Sequence, residues 1–458
     1  MSCRSTPTPR PYPKLVALGF LLPLIAAAST AFSQDAVRPS LAGEAASEAR
    51  AQDVSRIPYN LELGPVRFRV SATVGVEYND NINYAEDGSG FVLTPIGPVF
   101  ESTQKESDWI ITPHGTIDAI WPVTQLNTLR LDLGIGYSFY LDHSENDTHA
   151  ILIAPNSQIA FDIFVGDFRI NIHDKMSLQQ DPIAEGALSG VSNYGRFENT
   201  AGVSLLWDLN KILVTLGYDH YNFVSTTSDF DYLNRNAEIV GGTLSILVTP
   251  TISIGPEGNA VFTRYDQSVL SDNKDYSVGG FIEAQITNNI KFRVAGGYQW
   301  IDFDRNFVDF DLGPFFFRFR DHSDLRDFYA NGLLTHRINA TISQSISAGH
   351  ENQLGVNSNY ITLNYVRHTV TWNIIRNTLL STEFFFEDAE ESGGLINFSP
   401  GAIGGEHFHR IGGAVTLGYQ LTPHITLGLR YQGTSKDSDV FLRDYNQNRV
   451  SFDGTYSF

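Results

Sequence analysis

The sequence predicts an all-β fold, a transmembrane antiparallel up-and-down barrel of about 18 strands within a range of roughly 16–18. Three observations predict it. Apolar and polar residues alternate with period two along segment after segment, the connectors alternate between tight turns and long polar loops, and the chain ends on an aromatic strand. In the last ten residues, RVSFDGTYSF, Val450, Phe452, Tyr456 and Phe458 share one face with Gly454. Arg449, Ser451, Asp453, Thr455 and Ser457 share the other, as a strand's opposed side chains require.

The same split begins at Val66. Phe68, Val70, Ala72, Val74, Val76 and Tyr78 oppose Arg67, Arg69, Ser71, Thr73, Gly75 and Glu77. It recurs from Leu129 to Leu141, from Ile212 to Tyr218, at Val278, Ile282 and Ile286, from Ile411 to Tyr419 and from Ile425 to Tyr431. No helical period of useful length competes.

Tight connectors fall at 121–124, 166–167, 210, 249–251, 288–289, 375–377 and 422–424, all with the Pro, Asn, Asp or Gly chemistry of turns. Long ones fall at 80–107, 181–195, 225–235, 266–275, 305–323, 389–406 and 437–444. Short turns on the periplasmic side and long loops outside are the arrangement of outer-membrane barrels. Trp121, Trp207 and Trp372 stand beside short turns, Trp109 and Trp300 beside long loops, so two interfacial girdles are expected.

Composition excludes the competing classes. The chain is 458 residues long with 42% apolar residues, and outside its N-terminus it has no apolar run long enough for a spanning helix. A formal net charge of −20 argues against nucleic acid as a partner. At the N-terminus Arg4, Arg10 and Lys14 precede an apolar core from Leu15 to Ala28, and Ala31 and Ser33 set a cleavage site. Residues 1–33 therefore read as a signal peptide, 34–65 as a periplasmic tail and 66–458 as the barrel. Cys3 is the only cysteine and leaves with the leader, so no thiol chemistry is expected. The destination is a Gram-negative outer membrane, with lipid and lipopolysaccharide as surroundings. The terminal strand, with Tyr456 and Phe458, resembles the C-terminal signal of bacterial outer-membrane proteins, which implies recognition by the barrel-assembly machinery.

A barrel this wide encloses an aqueous lumen, so function is sought on inward residues and infolded loops. Arg67, Arg69, Arg410, Arg430 and Arg449 fall on four successive strands around the closing seam and form an expected basic arc. Glu257 and Glu283 face it across the bore, and such opposed charges orient solutes. The alternative is that these groups pair with neighbours and fill space. The loop containing Phe315, Phe316, Phe317, Arg318 and Arg320 is unusually apolar and is a candidate constriction.

No nucleophile elbow, zinc-protease pair or Walker loop is present, so no enzyme and no cofactor are expected. His407 and His409 share a strand face, but two ligands without a placed third do not make a metal site. Asn79-Asp80-Asn81-Ile82-Asn83 fails the calcium-loop spacing at Ile82.

The segment EYNDNI at 77–82, the string GGAVTLGYQLTPHITLGLRYQ at 412–432 and the echo LVTPTISIG at 247–255 resemble outer-membrane β-barrel porins encoded in exopolysaccharide operons. The resemblance implies an exit pore for a secreted exopolysaccharide, working with a periplasmic polysaccharide-export protein, and no catalytic residues. Two further readings stand beside it: a general or substrate-selective diffusion porin passing small solutes, and a plugged structural or adhesive surface barrel.

Overall fold

Period-two alternation is stable only where one face meets hydrocarbon and the other meets water or protein, and only if every strand edge is paired. The computed structural model meets both demands. It describes residues 59–94, 97–124, 127–312, 315–321, 324–393 and 405–458. The leader and most of the predicted tail lie outside the described residues.

The wall consists of β1 (Val66–Asn79), β2 (Asp108–Pro122), β3 (Asn127–Gly136), β4 (Leu152–Val165), β5 (Phe168–Gln179) and β6 (Arg196–Asp208). It continues with β7 (Ile212–Ser225), β8 (Arg235–Thr249), β9 (Ile252–Tyr265), β10 (Asn273–Thr287), β11 (Ile290–Phe303) and β12 (Leu325–Arg337). The circuit finishes with β13 (Ile342–Leu354), β14 (Tyr360–Ile375), β15 (Thr378–Glu391), β16 (His407–Gln420), β17 (Ile425–Ser438) and β18 (Tyr445–Ser457). Each pairs antiparallel with its neighbours in sequence, and β1 closes on β18 from Ser71 opposite Ser457 to Asn79 opposite Arg449. Twenty strands share this sheet. Phe139–Tyr140 continues β3 and Leu61–Leu63 folds back at the rim, which leaves eighteen in the barrel.

The exterior is apolar. Val74, Leu216, Val278, Ile282, Val415, Leu417, Leu429 and Phe452 are exposed on it, in the parity expected. Exposed aliphatic side chains in a closed belt are the surface of a barrel solvated by lipid. The protein is an outer-membrane β-barrel. Aromatic pairs mark both edges of the belt: Tyr78 with Trp109 and Tyr276 with Trp300 near the long loops, Phe168 with Trp207 and Tyr456 with Phe458 near the turns.

The turns follow their chemistry. Gly166 and Asn210 have φ of 58° and 68°, the left-handed conformation that tight hairpins need. One turn, at 338–341, escapes the list drawn from sequence, as do two external connectors, at 141–151 and 355–359. Asn339 forms the extra turn by accepting from the Thr341 and Ile342 amides.

At the rim Leu63 pairs with Val66 and Leu61 with Phe68 across a turn at Gly64, whose φ is 60°. This short strand covers the part of β1 that β18 does not reach.

Candidate functional site

The connector from Gln180 to Gly195, between β5 and β6, crosses the bore. In an eighteen-strand ring β5 and β14 are nine strands apart in either direction, on opposite walls. Yet Ala187 of this connector is buried with Ile361, Leu363 and Tyr365 of β14, Ala389 of β15 and Phe408 of β16. A segment leaving one wall and packing on the other spans the lumen.

Its local structure follows from its sequence. The Asp181 carboxylate accepts from the Ile183 amide at 2.9 Å and Pro182 opens a single helical turn, Pro182–Ala184. Gly186 allows close approach to the far wall: a Cβ there would stand 3.1 Å from Phe408 and 3.3 Å from Arg410. Leu188 and Tyr194 then enter an apolar cluster with Tyr221, Phe223, Phe230, Leu233, Leu270 and Val356. Phe230, Leu233, Leu270 and Val356 come from three other external loops, so the loops pack into one body over the mouth.

Polar anchors fix the crossing at both ends. Tyr84 Oη donates to Asp181 Oδ1 at 2.7 Å, and Arg449 Nη1 donates to Asp181 Oδ2 at 2.8 Å. Arg410 Nη1 donates to the Ile183 carbonyl at 2.9 Å, and Asn357 to the Ala187 carbonyl at 3.0 Å. Arg443 also donates to the Ala187 carbonyl, while Ser189 Oγ donates back to the Arg443 carbonyl at 2.8 Å. Lys436 Nζ reaches Ser189 Oγ at 3.1 Å.

Arg410, Lys436 and Arg443 are buried and need carboxylates. Glu406 supplies one, 2.8 Å from Lys436 and 2.7 Å from Arg443. Glu387 supplies another, 2.7 Å from Arg410. Burial pushes the Glu185 carboxyl above its ordinary value despite Arg196 and Arg410 nearby. Burial acts on Asp181 too, but Arg449, the Tyr84 hydroxyl and the Ile183 amide outweigh it and hold that carboxyl low.

A second feature lies along the inner wall from β9 to β14, a cavity of about 440 Å³. It runs from Glu283 and Lys291 near the periplasmic turn to Asn273 and Ile301 toward the loops. Thr263 Oγ1, Asn273 Oδ1 and Asp275 Oδ1 border it without a hydrogen-bond partner among the described residues. Glu257 is held in the wall by Arg293 at 2.6 Å and by the Tyr329 hydroxyl at 3.1 Å. Gly279 leaves room for the Tyr329 hydroxyl: a Cβ there would be 2.3 Å from Tyr329 Oη.

The residues singled out from sequence occupy defined places. Arg410 and Arg449 are anchors of the crossing segment, and Arg449 also reaches Glu77 at 2.8 Å. Arg430 meets Glu383 at 2.9 Å, Arg69 meets Asp118 at 2.5 Å, and Arg67 lies 3.6 Å from Glu62 near the rim. Glu257 on β9 stands opposite β18 around the ring, and Glu283 on β10 bonds Lys291 at 2.8 Å. Phe315–Arg320 pairs with Phe307–Leu312 as a separate hairpin. Arg318 is exposed in it, 3.7 Å over the Phe307 ring, while the side chains of Phe315, Phe316, Phe317 and Arg320 lie outside the described residues. Tyr456 and Phe458 are exposed on the lipid side of β18.

Sequence reasoning gave 181–195 only as one polar loop among several. Its signal was available in PIAEGALSGV, which places Ile183, Ala187, Leu188 and Val191 in a segment nominally facing water. Such a density of apolar side chains between Pro182 and Ser192 is unusual for an external loop and marks one that packs.

No protein-family model and no curated protein matches the chain. Among solved structures it is similar to the Pseudomonas aeruginosa protein OpdK with vanillate, at 9% identity and a TM-score of 0.45 over 85% of this chain and 99% of that one. It is also similar to OccK2 (OpdF) of the same organism in complex with glucuronate, at 12% identity and a TM-score of 0.44 over 85% and 98%. OpdQ of that organism aligns at 10% identity with a TM-score of 0.43 over 85% and 99%.

Proposed function

We propose that the protein is a selective diffusion channel for small hydrophilic solutes, narrowed at its outer mouth by the segment Gln180–Gly195. The observation that carries this reading is the anchorage of that segment on the wall opposite its origin. A bore crossed by packed backbone admits small solutes around the obstruction and holds back large ones. Below it, Arg430 and Arg69 are paired with Glu383 and Asp118 on one wall, and Glu257 and Glu283 with Arg293 and Lys291 on the other, so the bore offers local ion pairs to a polar solute in transit. Arg410 and Arg449 act on the mouth by holding the segment.

Single-channel recording tests the reading. Replacing residues 183–193 by a short Gly-Ser linker should raise conductance several-fold while heat-modifiable migration shows the wall intact. Unchanged conductance with an intact wall would end it.

Exit of a secreted exopolysaccharide is the second reading, favoured by the place of the EYNDNI segment. Asn79 and Asn81 are buried at the mouth, Gln447 donates to the Asn81 carbonyl, and Tyr84 just beyond holds Asp181. Polymer passage requires the crossing segment to leave the bore, with a periplasmic export protein as partner. Loss of secreted polymer on gene deletion, with small-solute uptake unchanged, would favour this reading over the first.

A further inference from the structure

We propose a divalent transition-metal site of the zinc class on the outer surface of the barrel, formed by Asp388, His407 and His409. Asp388 is on β15 directly opposite His409 of β16, and His407 is two residues along on the same face. Their ligand atoms all lie within 4.8 Å of one another. His407 Nε2 is 2.8 Å and His409 Nδ1 3.0 Å from the same oxygen, Asp388 Oδ1.

Two imidazoles and a carboxylate are the ligand set of open zinc sites, with a fourth position free. Ligand atoms around a four-coordinate Zn²⁺ stand a little over 3 Å apart, so small side-chain rotations convert the present contacts into coordination. Imidazole nitrogen selects Zn²⁺, Cu²⁺ or Ni²⁺ over Mg²⁺ and Ca²⁺, which prefer all-oxygen shells. Supporting contacts orient the ligands. Asn364 Nδ2 approaches the other carboxylate oxygen, Asp388 Oδ2, at 3.4 Å, and Phe386 stacks on the His409 ring at 6.2 Å and 18°. The His407 amide donates to Asp439 at 2.9 Å, fixing the start of β16.

The side chains point away from the bore, just outward of Ile411 and Phe386 in the apolar belt. The site therefore sits at the level of the outer-leaflet headgroups, and its open position faces them. It is independent of the crossing segment and of any solute path.

The test uses untagged full-length protein in micelles free of lipopolysaccharide. Isothermal titration with ZnCl₂ should give one equivalent bound, reversed by chelator and untouched by excess MgCl₂, and CoCl₂ should give the visible spectrum of a four- or five-coordinate site with nitrogen ligands. His407→Gln with His409→Gln, and separately Asp388→Asn, should abolish both signals while heat-modifiable migration stays native. Because ligation needs neutral imidazole, uptake should weaken in acid. Absent zinc uptake by the wild type, or equal uptake by the folded variants, overturns the proposal and leaves a carboxylate bonded to two histidines.

Discussion

The strand wall and the loop body at its mouth are both rich in ion pairs, but the pairs differ in kind. In the wall, many partners sit one or two strands apart where water reaches them: Arg69 with Asp118, Arg430 with Glu383, Lys291 with Glu283. At the mouth Arg410 with Glu387, and Lys436 and Arg443 with Glu406, are buried, and the contacts that hold the crossing segment join distant parts of the chain. Arg449 and Asp181 are 268 residues apart, and Arg443 and Ala187 are 256 apart. A wall pair decorates a surface that its strand pairing already holds. A mouth pair helps hold segments that no strand ladder reaches.

The sharpest test of that contrast is Glu406→Ala. It leaves Lys436 and Arg443 buried without their shared carboxylate, a change worth about 3–5 kcal/mol in comparable settings. The loop body should open, conductance should rise, and the wall should still migrate as a folded barrel. A variant with native conductance would show that the mouth charges are as dispensable as those of the wall.

Acidity separates two groups within the mouth. The docked Glu185 carboxyl is raised, so its contribution to docking is full below its ordinary value of 4.5 and is lost as pH rises through the docked value. The docked Asp181 carboxyl is lowered, so its contribution is present above 3.8 and is lost as pH falls through the docked value. Glu185→Gln should therefore steady the closed level at neutral pH. Asp181→Asn should increase open-level noise there and remove the acid-side change. Current traces recorded across pH 3–8 would show both, and identical traces from the two variants would break the assignment.

The smallest effect is expected in the wall. Arg69→Gln removes an exposed pair and should change stability by less than about 1 kcal/mol, measured as the midpoint of urea unfolding. A loss as large as that from Glu406→Ala would erase the distinction between the regions.

The same contrast explains what could be read in advance. Strand parity was legible because each lipid-facing position, from Phe68 to Phe458, answers to hydrocarbon alone and so obeys one rule. The turn at 338–341 was missed because its signal is the single Asn339 side chain, without Gly or Pro. The loop body was not legible, because Asp181 has no sequence feature that points to Arg449, and Glu406 none that points to Lys436. Asp388 shows the limit at its smallest: the register of one hairpin decides whether two histidines have a third ligand. Residue types suggested the arginines as a group, but partners divided them into anchors and wall residues.

The short strand Leu61–Leu63 has a bearing on assembly. β18 accompanies β1 only as far as Ser71, so the rest of that edge would offer bare peptide groups to any passing strand. The chain covers it with its own preceding residues. Leu61–Leu63 matches Val66–Phe68, and the Asn60 side chain takes both the amide and the carbonyl of Val70. The seam is thus sewn from both sides of the barrel's own chain, by the residues just before its first strand and by its last strand.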